Sequence, residues 1–129
     1  MRKPDPFYAL GKFGEAVYAL ATEPGDVRSR LYPAFICLLP VRADDLPPAL
    51  GQDLEWVTEK LTSKKSRFPE MEGDLLATLR SIRNSTGVKV AKRIVTIESR
   101  LRGVLYAERR RGKSVIVQTW PTVKSARYA

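Results

Sequence analysis

The sequence contains no histidine and only one cysteine, Cys37. A disulfide framework needs paired cysteines, and a zinc site needs a cluster of cysteine or histidine ligands. A Ser-His or Cys-His dyad needs an imidazole base. These absences exclude the three chemistries, and no other nucleophile has a visible activator. We therefore predict no cofactor, no metal site and no catalytic residue, and expect that the protein is not an enzyme.

Long apolar runs are also absent. The longest, residues 34–39 between Pro33 and Pro40, is much shorter than the roughly 20 residues that cross a bilayer. Charged residues interrupt the N-terminal segment, so we predict neither a signal peptide nor a membrane span. A single cysteine within an apolar run is typical of a buried thiol in a reducing compartment, and we expect a cytoplasmic protein.

The remaining composition is that of one folded domain. The chain has 129 residues, of which 43% are apolar and 29% are charged, enough apolar content to form a core. Helical periodicity extends from residue 6 to about residue 108. We predict an all-α fold, a compact bundle of four to five helices over residues 1–108. A basic C-terminal extension, residues 109–129, follows and contains a short strand-like segment.

Capping residues and apolar spacing mark the first two helices. Asp5 and Pro6 form a typical helix start, and the first apolar stripe consists of Phe7, Leu10, Phe13, Val17 and Leu20. Asp26 can cap the second helix. Pro33 either kinks this helix or marks its beginning after a short turn, because proline removes a backbone donor.

The third helix is predicted to start near Pro48, with Leu50, Leu54, Val57 and Leu61 inward. A polar, basic loop over residues 63–69 follows it. The fourth helix, after Pro69, directs these residues inward: Met71, Leu75, Leu76, Leu79 and Ile82.

A break near Asn84 is predicted to separate the fourth helix from the fifth. Ser85 or Thr86 would cap the fifth helix, whose stripe comprises Val90, Ile94, Ile97, Leu101 and Val104, with Leu105 beside them. One continuous helix is the alternative. We favour the break because Asn, Ser, Thr and Gly in succession are poor helix formers.

The positive charge is concentrated in the last third of the sequence. Residues 1–85 contain 12 basic and 12 acidic residues, whereas residues 86–129 contain 11 basic and 2 acidic residues. The whole net charge of +9 therefore lies after residue 85. Such a segregated cationic segment attracts polyanions, and arginine outnumbers lysine there by seven to four, which favours forked phosphate contacts.

From this segregation we predict a nucleic-acid-binding site that contacts phosphates. At about 100° per residue, Lys89, Arg93 and Arg100 lie on one flank of the fifth helix. The full predicted set is Lys89, Lys92, Arg93, Arg100, Arg109, Arg110, Arg111 and Lys113. A solvated charged face is the alternative interpretation. A helix-turn-helix is disfavoured, because the fifth helix is longer than a typical recognition helix.

A second hypothesis is a protein-interaction or self-assembly module with an acidic partner or a second copy of the chain. The β-branched run over residues 114–121 has no strand partner elsewhere in the sequence, so it could pair with another molecule. Its candidate contacts are Val115, Val117 and Trp120. Trp56 could anchor a partner, or it could pack against a neighbouring helix with Lys60 over its ring.

Two further patterns are interpreted as non-functional. Residues 107–114 resemble a phosphate-binding loop, but a helix precedes them and a strand-like run follows, the reverse of the order that this loop needs. Glu55 and Glu59 are expected to face solvent, and the pair Asp44 and Asp45 is expected to cap a helix. The acidic group at Glu70, Glu72 and Asp74 is interpreted as solvated surface near a helix start.

Overall fold

The computed structural model describes residues 3–68 and 73–110, which form five α-helices and one short 3₁₀ helix. The predicted all-α fold is confirmed for these residues, and no strand occurs among them. The predicted strand-like segment at residues 114–121 lies outside the described ranges. The α-helices are α1 (Pro6–Thr22), α2 (Val27–Leu38), α3 (Pro48–Leu61), α4 (Asp74–Ser81) and α5 (Asn84–Arg110), and the 3₁₀ helix is Ala43–Asp45.

Helix α1 starts where the capping pattern predicts, because the Asp5 carboxylate accepts a hydrogen bond from the Tyr8 backbone N–H at 3.0 Å. Its buried stripe, however, is largely made of alanines. Phe7 is 42% exposed, and the leucines and valine of the predicted stripe are only half-buried. The small side chains let α1 approach α2 and α5 closely. The buried residues are Pro6, Ala9, Phe13, Ala16 and Ala19.

Helix α2 begins at Val27 and continues through Pro33. The alternative in which the helix begins at Pro33 is therefore wrong. Asp26 caps the helix by accepting the Ser29 backbone N–H at 3.0 Å. The helix packs against α1, α4 and α5.

Helix α3 has the predicted buried stripe of Leu50, Leu54, Val57 and Leu61. Gly51 lies against the 3₁₀ helix, and a Cβ atom at this position would be 2.6 Å from the carbonyl oxygen of Ala43. Only glycine permits this close approach without movement of the backbone.

Helices α4 and α5 are separate, as predicted, and Ile82 and Arg83 lie between them. Helix α5 starts at Asn84, slightly before the predicted caps, and extends to Arg110, two residues beyond the predicted limit of the bundle. Its apolar residues include Val90, Ile94, Ile97, Leu101 and Leu105, which are all fully buried.

Helix α5 contacts α1, α2 and α3. At the end of the predicted stripe, Val104 is exposed and Leu105 is fully buried. Leu105 lies four residues after the buried Leu101, about one helical turn further on the same face of α5. Within the described residues, no helix combines the length and apolar content that crossing a membrane requires.

Candidate nucleic-acid interface

The cations of the predicted basic row on α5 differ in their contacts with the rest of the helical bundle. Arg93 is directed towards α3, where its Nη1 atom lies 3.0 Å from Oδ1 of Asp53. Its guanidinium carbon lies 4.2 Å from the centre of the Trp56 ring. Lys60 lies over the same ring at 5.8 Å. Arg93 and Trp56 thus join α3 to α5, so Arg93 does not present a free guanidinium to phosphate.

The other cations of α5 differ in their surroundings. Lys89 and Lys92 are exposed, whereas Arg100 is half-buried. Arg109 lies over the Phe7 ring at 5.5 Å from its centre, and Arg110 is exposed at the end of the helix. The remaining predicted residues, Arg111, Lys113, Val115, Val117 and Trp120, lie outside the described ranges.

Lys92 lines a groove of about 460 Å³ between the end of α1, the start of α2 and α5. The floor of this groove is apolar and includes Val88 and Val95, both of which are exposed. Arg30 is the second cation in its wall. We refer to this feature as the Lys92 groove, and its other lining residues are Leu20, Val27, Ala91 and Thr96.

A second concave surface, of about 300 Å³, lies between α4 and the loop that follows α3. We refer to it as the Arg80 cleft. Four of its seven described lining residues are cations, one is an exposed aromatic residue, and none carries a carboxylate. The lining residues are Lys64, Lys65, Arg67, Phe68, Ala77, Arg80 and Ser81.

Two side chains of α4 hold the loop of the Arg80 cleft in place. The hydroxyl of the fully buried Thr78 accepts the Lys64 backbone N–H at 2.9 Å. The Asp74 carboxylate accepts the Ser66 backbone N–H at 3.0 Å. These bonds satisfy backbone donors that the loop itself leaves unpaired, and they direct the intervening basic side chains outward.

Asp74 also moderates the charge at the edge of the cleft. Its second oxygen lies 3.3 Å from Nζ of Lys65, whose side chain is 85% exposed. The Ser66 N–H, followed by Lys65, holds the pKa of Asp74 below its ordinary value. An ion pair this exposed contributes little to stability, so Lys65 can exchange Asp74 for another anion at small cost.

Arg80 is shared with a neighbouring depression of about 340 Å³ between α2 and α4. Arg28 lines this depression, donates to the Ile82 carbonyl at 3.3 Å and pairs with Asp26 at 3.1 Å. The Arg28 bond ties the start of α2 to the end of α4. Asp26 also lines this depression, so the charge of Arg28 is balanced there.

The remaining chemistry-bearing residues have structural surroundings. Asp45 is fully buried and accepts the backbone N–H groups of Asp5 and Arg42 at 2.8 and 2.9 Å. Cys37 is half-buried, and burial raises the pKa of its thiol, which disfavours the reactive thiolate. Glu55 and Glu59 are exposed. The described ranges contain no group of three side chains able to hold a metal ion.

Sequence reasoning missed the Arg80 cleft. The basic loop was recognised, but the first 85 residues are electroneutral and so gave no indication of a cationic surface. The available signal was local: the run Lys64, Lys65, Ser66, Arg67, Phe68 combines three cations with an aromatic residue. Only the packing of α4 brings Arg80 to this run.

Neither a protein-family model, nor a curated protein, nor a solved structure matches this chain.

Proposed function

We propose that the protein is a cytoplasmic, non-enzymatic module that binds nucleic acid through its phosphate backbone. The observation that carries this proposal is the convergence of Lys64, Lys65, Arg67 and Arg80 on one concave surface whose described lining residues include no carboxylate. Closely spaced cations that neutralise several phosphates release condensed counterions, and this gain requires no particular base sequence.

The start of α5 extends the proposed binding surface. Arg83 is exposed in the turn between α4 and α5, three residues after Arg80. Lys89 and Lys92 follow at about 8 and 12 Å along the helix axis from Asn84, at a rise of 1.5 Å per residue. Arg109 and Arg110 stay in the proposed contact set as a separate group at the other end of α5, and Arg111 and Lys113, which lie outside the described ranges, stay in the set as well.

The test is titration of labelled single-stranded and duplex DNA at low salt. We expect affinity to fall as salt rises, and the double substitution Lys64→Gln/Arg67→Gln to weaken low-salt binding by roughly tenfold. The slope of log affinity against log salt should decrease by about 0.7 to 0.9 for each phosphate contact that is lost. A parallel variant, Lys89→Gln/Lys92→Gln, measures whether the start of α5 contributes.

The matched control is Lys12→Gln/Arg102→Gln, which removes the same charge from sites outside the Arg80 cleft. We expect it to bind nearly as well as the natural chain. An equal loss in the control would show that total charge, rather than the cleft, governs binding. Absence of binding by the natural chain at low salt would refute the proposal.

An acidic protein partner is the alternative ligand for these cations. The Lys92 groove supports an acidic protein partner, because its apolar lining residues lie between Arg30 and Lys92, and this arrangement suits an amphipathic acidic helix. Competition with poly-glutamate distinguishes the acidic protein partner from nucleic acid: displacement of DNA at equal charge concentration would favour the protein partner.

Self-assembly through residues 114–121 stays a prediction, and an unchanged sedimentation coefficient after deletion of residues 112–129 would count against it.

A further inference from the structure

Phe68 is an exposed aromatic residue that lines the Arg80 cleft. Its side chain is 59% exposed, although the neighbouring core contains other large apolar residues that are fully buried. Single exposed apolar side chains are common and need no explanation by themselves. Here, however, the exposed ring lines the same concave surface as four cations, and this combination is typical of sites that bind unpaired nucleotides.

Phe68 is also positioned by hydrogen bonds. The Asp74 carboxylate accepts the Ser66 backbone N–H at 3.0 Å, and the Ser66 hydroxyl accepts the Phe68 backbone N–H at 3.1 Å. This relay from α4 fixes the backbone on which the ring is carried. A ring held in this way loses less conformational freedom on binding than one on an unrestrained loop.

We propose that the Arg80 cleft binds a single-stranded nucleic acid, with an unpaired base stacked on Phe68 and the flanking phosphates bound by Lys64 and Arg67. This inference rests on the proposed function and specifies its ligand. Every base has an aromatic face, but a duplex hides both faces of each base within its stack, so only an unpaired base can use the ring. The volume of about 300 Å³ is at the lower end of the range for small-ligand sites and suits one base.

The experiment compares the natural chain with Phe68→Ala, using an unstructured oligothymidine strand and a DNA hairpin duplex as probes. The strand should contain about 20 nucleotides, more than the roughly 4 to 16 that a single small domain covers. We expect Phe68→Ala to weaken single-strand binding by roughly 5- to 100-fold, because stacking on one aromatic side chain contributes this much. Duplex affinity should change by less than about twofold, because the phosphate contacts are retained.

Three variants separate stacking from other effects. Phe68→Leu keeps an apolar side chain without an aromatic face and should lose most of the single-strand preference. Phe68→Trp should retain it. Tyr18→Ala, which removes an exposed aromatic residue from α1, should leave both affinities unchanged.

Phe68→Trp also gives a direct readout of stacking that does not depend on affinity differences. Its indole fluorescence should be quenched by oligothymidine and not by the hairpin, after subtraction of the natural chain's signal from Trp56 and Trp120. Because Phe68 is largely exposed, the variants should fold, and circular dichroism checks this.

The outcomes distinguish failure of the inference from failure of the proposed function. Loss of binding in Lys64→Gln/Arg67→Gln with no effect of Phe68→Ala would leave the proposed function standing and overturn the stacking. Equal losses for strand and hairpin in Phe68→Ala would also overturn it. If the natural chain binds neither probe at low salt, both proposals are wrong.

Discussion

The region around Asp45 and the Arg80 cleft use charged residues in opposite ways. At the start of α1, the buried Asp45 accepts two backbone N–H groups and lies 3.9 Å from the Arg42 guanidinium. In the Arg80 cleft, four cations line one surface, and the nearby Asp74 pairs with one of them, Lys65. One of the carboxylates that balance the charge of the first 85 residues, Asp45, is thus buried, whereas cations of the same segment face solvent.

This difference shows that neutrality in sequence does not imply neutrality at the surface. The charge of the buried Asp45 is balanced by its neighbour Arg42, so Asp45 enters the charge count of the first 85 residues although this ion pair lies outside the Arg80 cleft. The cationic surface of the described structure therefore includes residues before position 85, in addition to those of α5.

The largest effect is expected from Asp45→Ala. This change leaves the backbone N–H groups of Asp5 and Arg42 without their acceptor, and we expect the free energy of unfolding to fall by about 3 kcal/mol. Urea denaturation measures it. Asp45→Asn keeps one acceptor oxygen and should have an intermediate effect.

Asp44→Ala is the control for this prediction. Asp44 is exposed and forms only a surface ion pair with Arg42 at 3.2 Å, so its removal should cost less than about 1 kcal/mol. Equal destabilisation by the two alanine variants would contradict the structural role assigned to Asp45.

A smaller effect is expected at the cleft from Thr78→Val. Valine fills a similar volume but leaves the Lys64 backbone N–H without the hydroxyl acceptor, which should cost about 1 to 2 kcal/mol. The loop would lose one of its two anchors, so hydrogen exchange at Lys64 should also become faster. Thr78→Ser retains the hydroxyl and should keep the slow exchange at that amide. Unchanged exchange in Thr78→Val would show that this anchor does not hold the loop.

The smallest effect concerns acid stability. The pKa values of Asp26 and Asp74 are lowered, in each case first by a backbone hydrogen bond and then by a neighbouring cation. Their contributions to stability are therefore complete above the unfolded value of 3.8 and are lost as the pH falls through the lower folded-state values.

Melting temperatures between about pH 6 and about pH 2 measure this contribution. In Asp26→Asn/Asp74→Asn, the decline below the unfolded value of 3.8 should be shallower than in the natural chain. An identical decline in both proteins would show that other carboxylates govern acid stability. Because both carboxylates are partly exposed to solvent, we expect the shift to be modest.

Local patterns predicted most of the helical framework. The stripe of α3 and the caps Asp5 and Asp26 follow from spacing and side-chain chemistry, and the structure has them where the sequence places them. The stripe of α1, predicted from apolar spacing, is confirmed in part. Phe13 is fully buried and Leu10, Val17 and Leu20 pack against the core, whereas Phe7 is exposed. The other buried residues of the helix are mostly alanines.

The candidate site was predicted less well. The basic row on α5 was predicted from helical spacing alone, whereas Arg93 pairs with Asp53 on a different helix, 40 residues away in the sequence. Likewise, Thr78 and Arg80 meet the basic loop only because α4 folds back against it.

The amino-acid sequence alone determined the helical class, the cap of α1, the absence of imidazole and disulfide chemistry, and the excess of positive charge. These properties depend on single residues or on spacings within one helix. Tertiary structure decided which cations are paired and which line a common surface. That outcome depends on contacts between distant segments, because the field at a surface is set by distances in space rather than by positions along the chain.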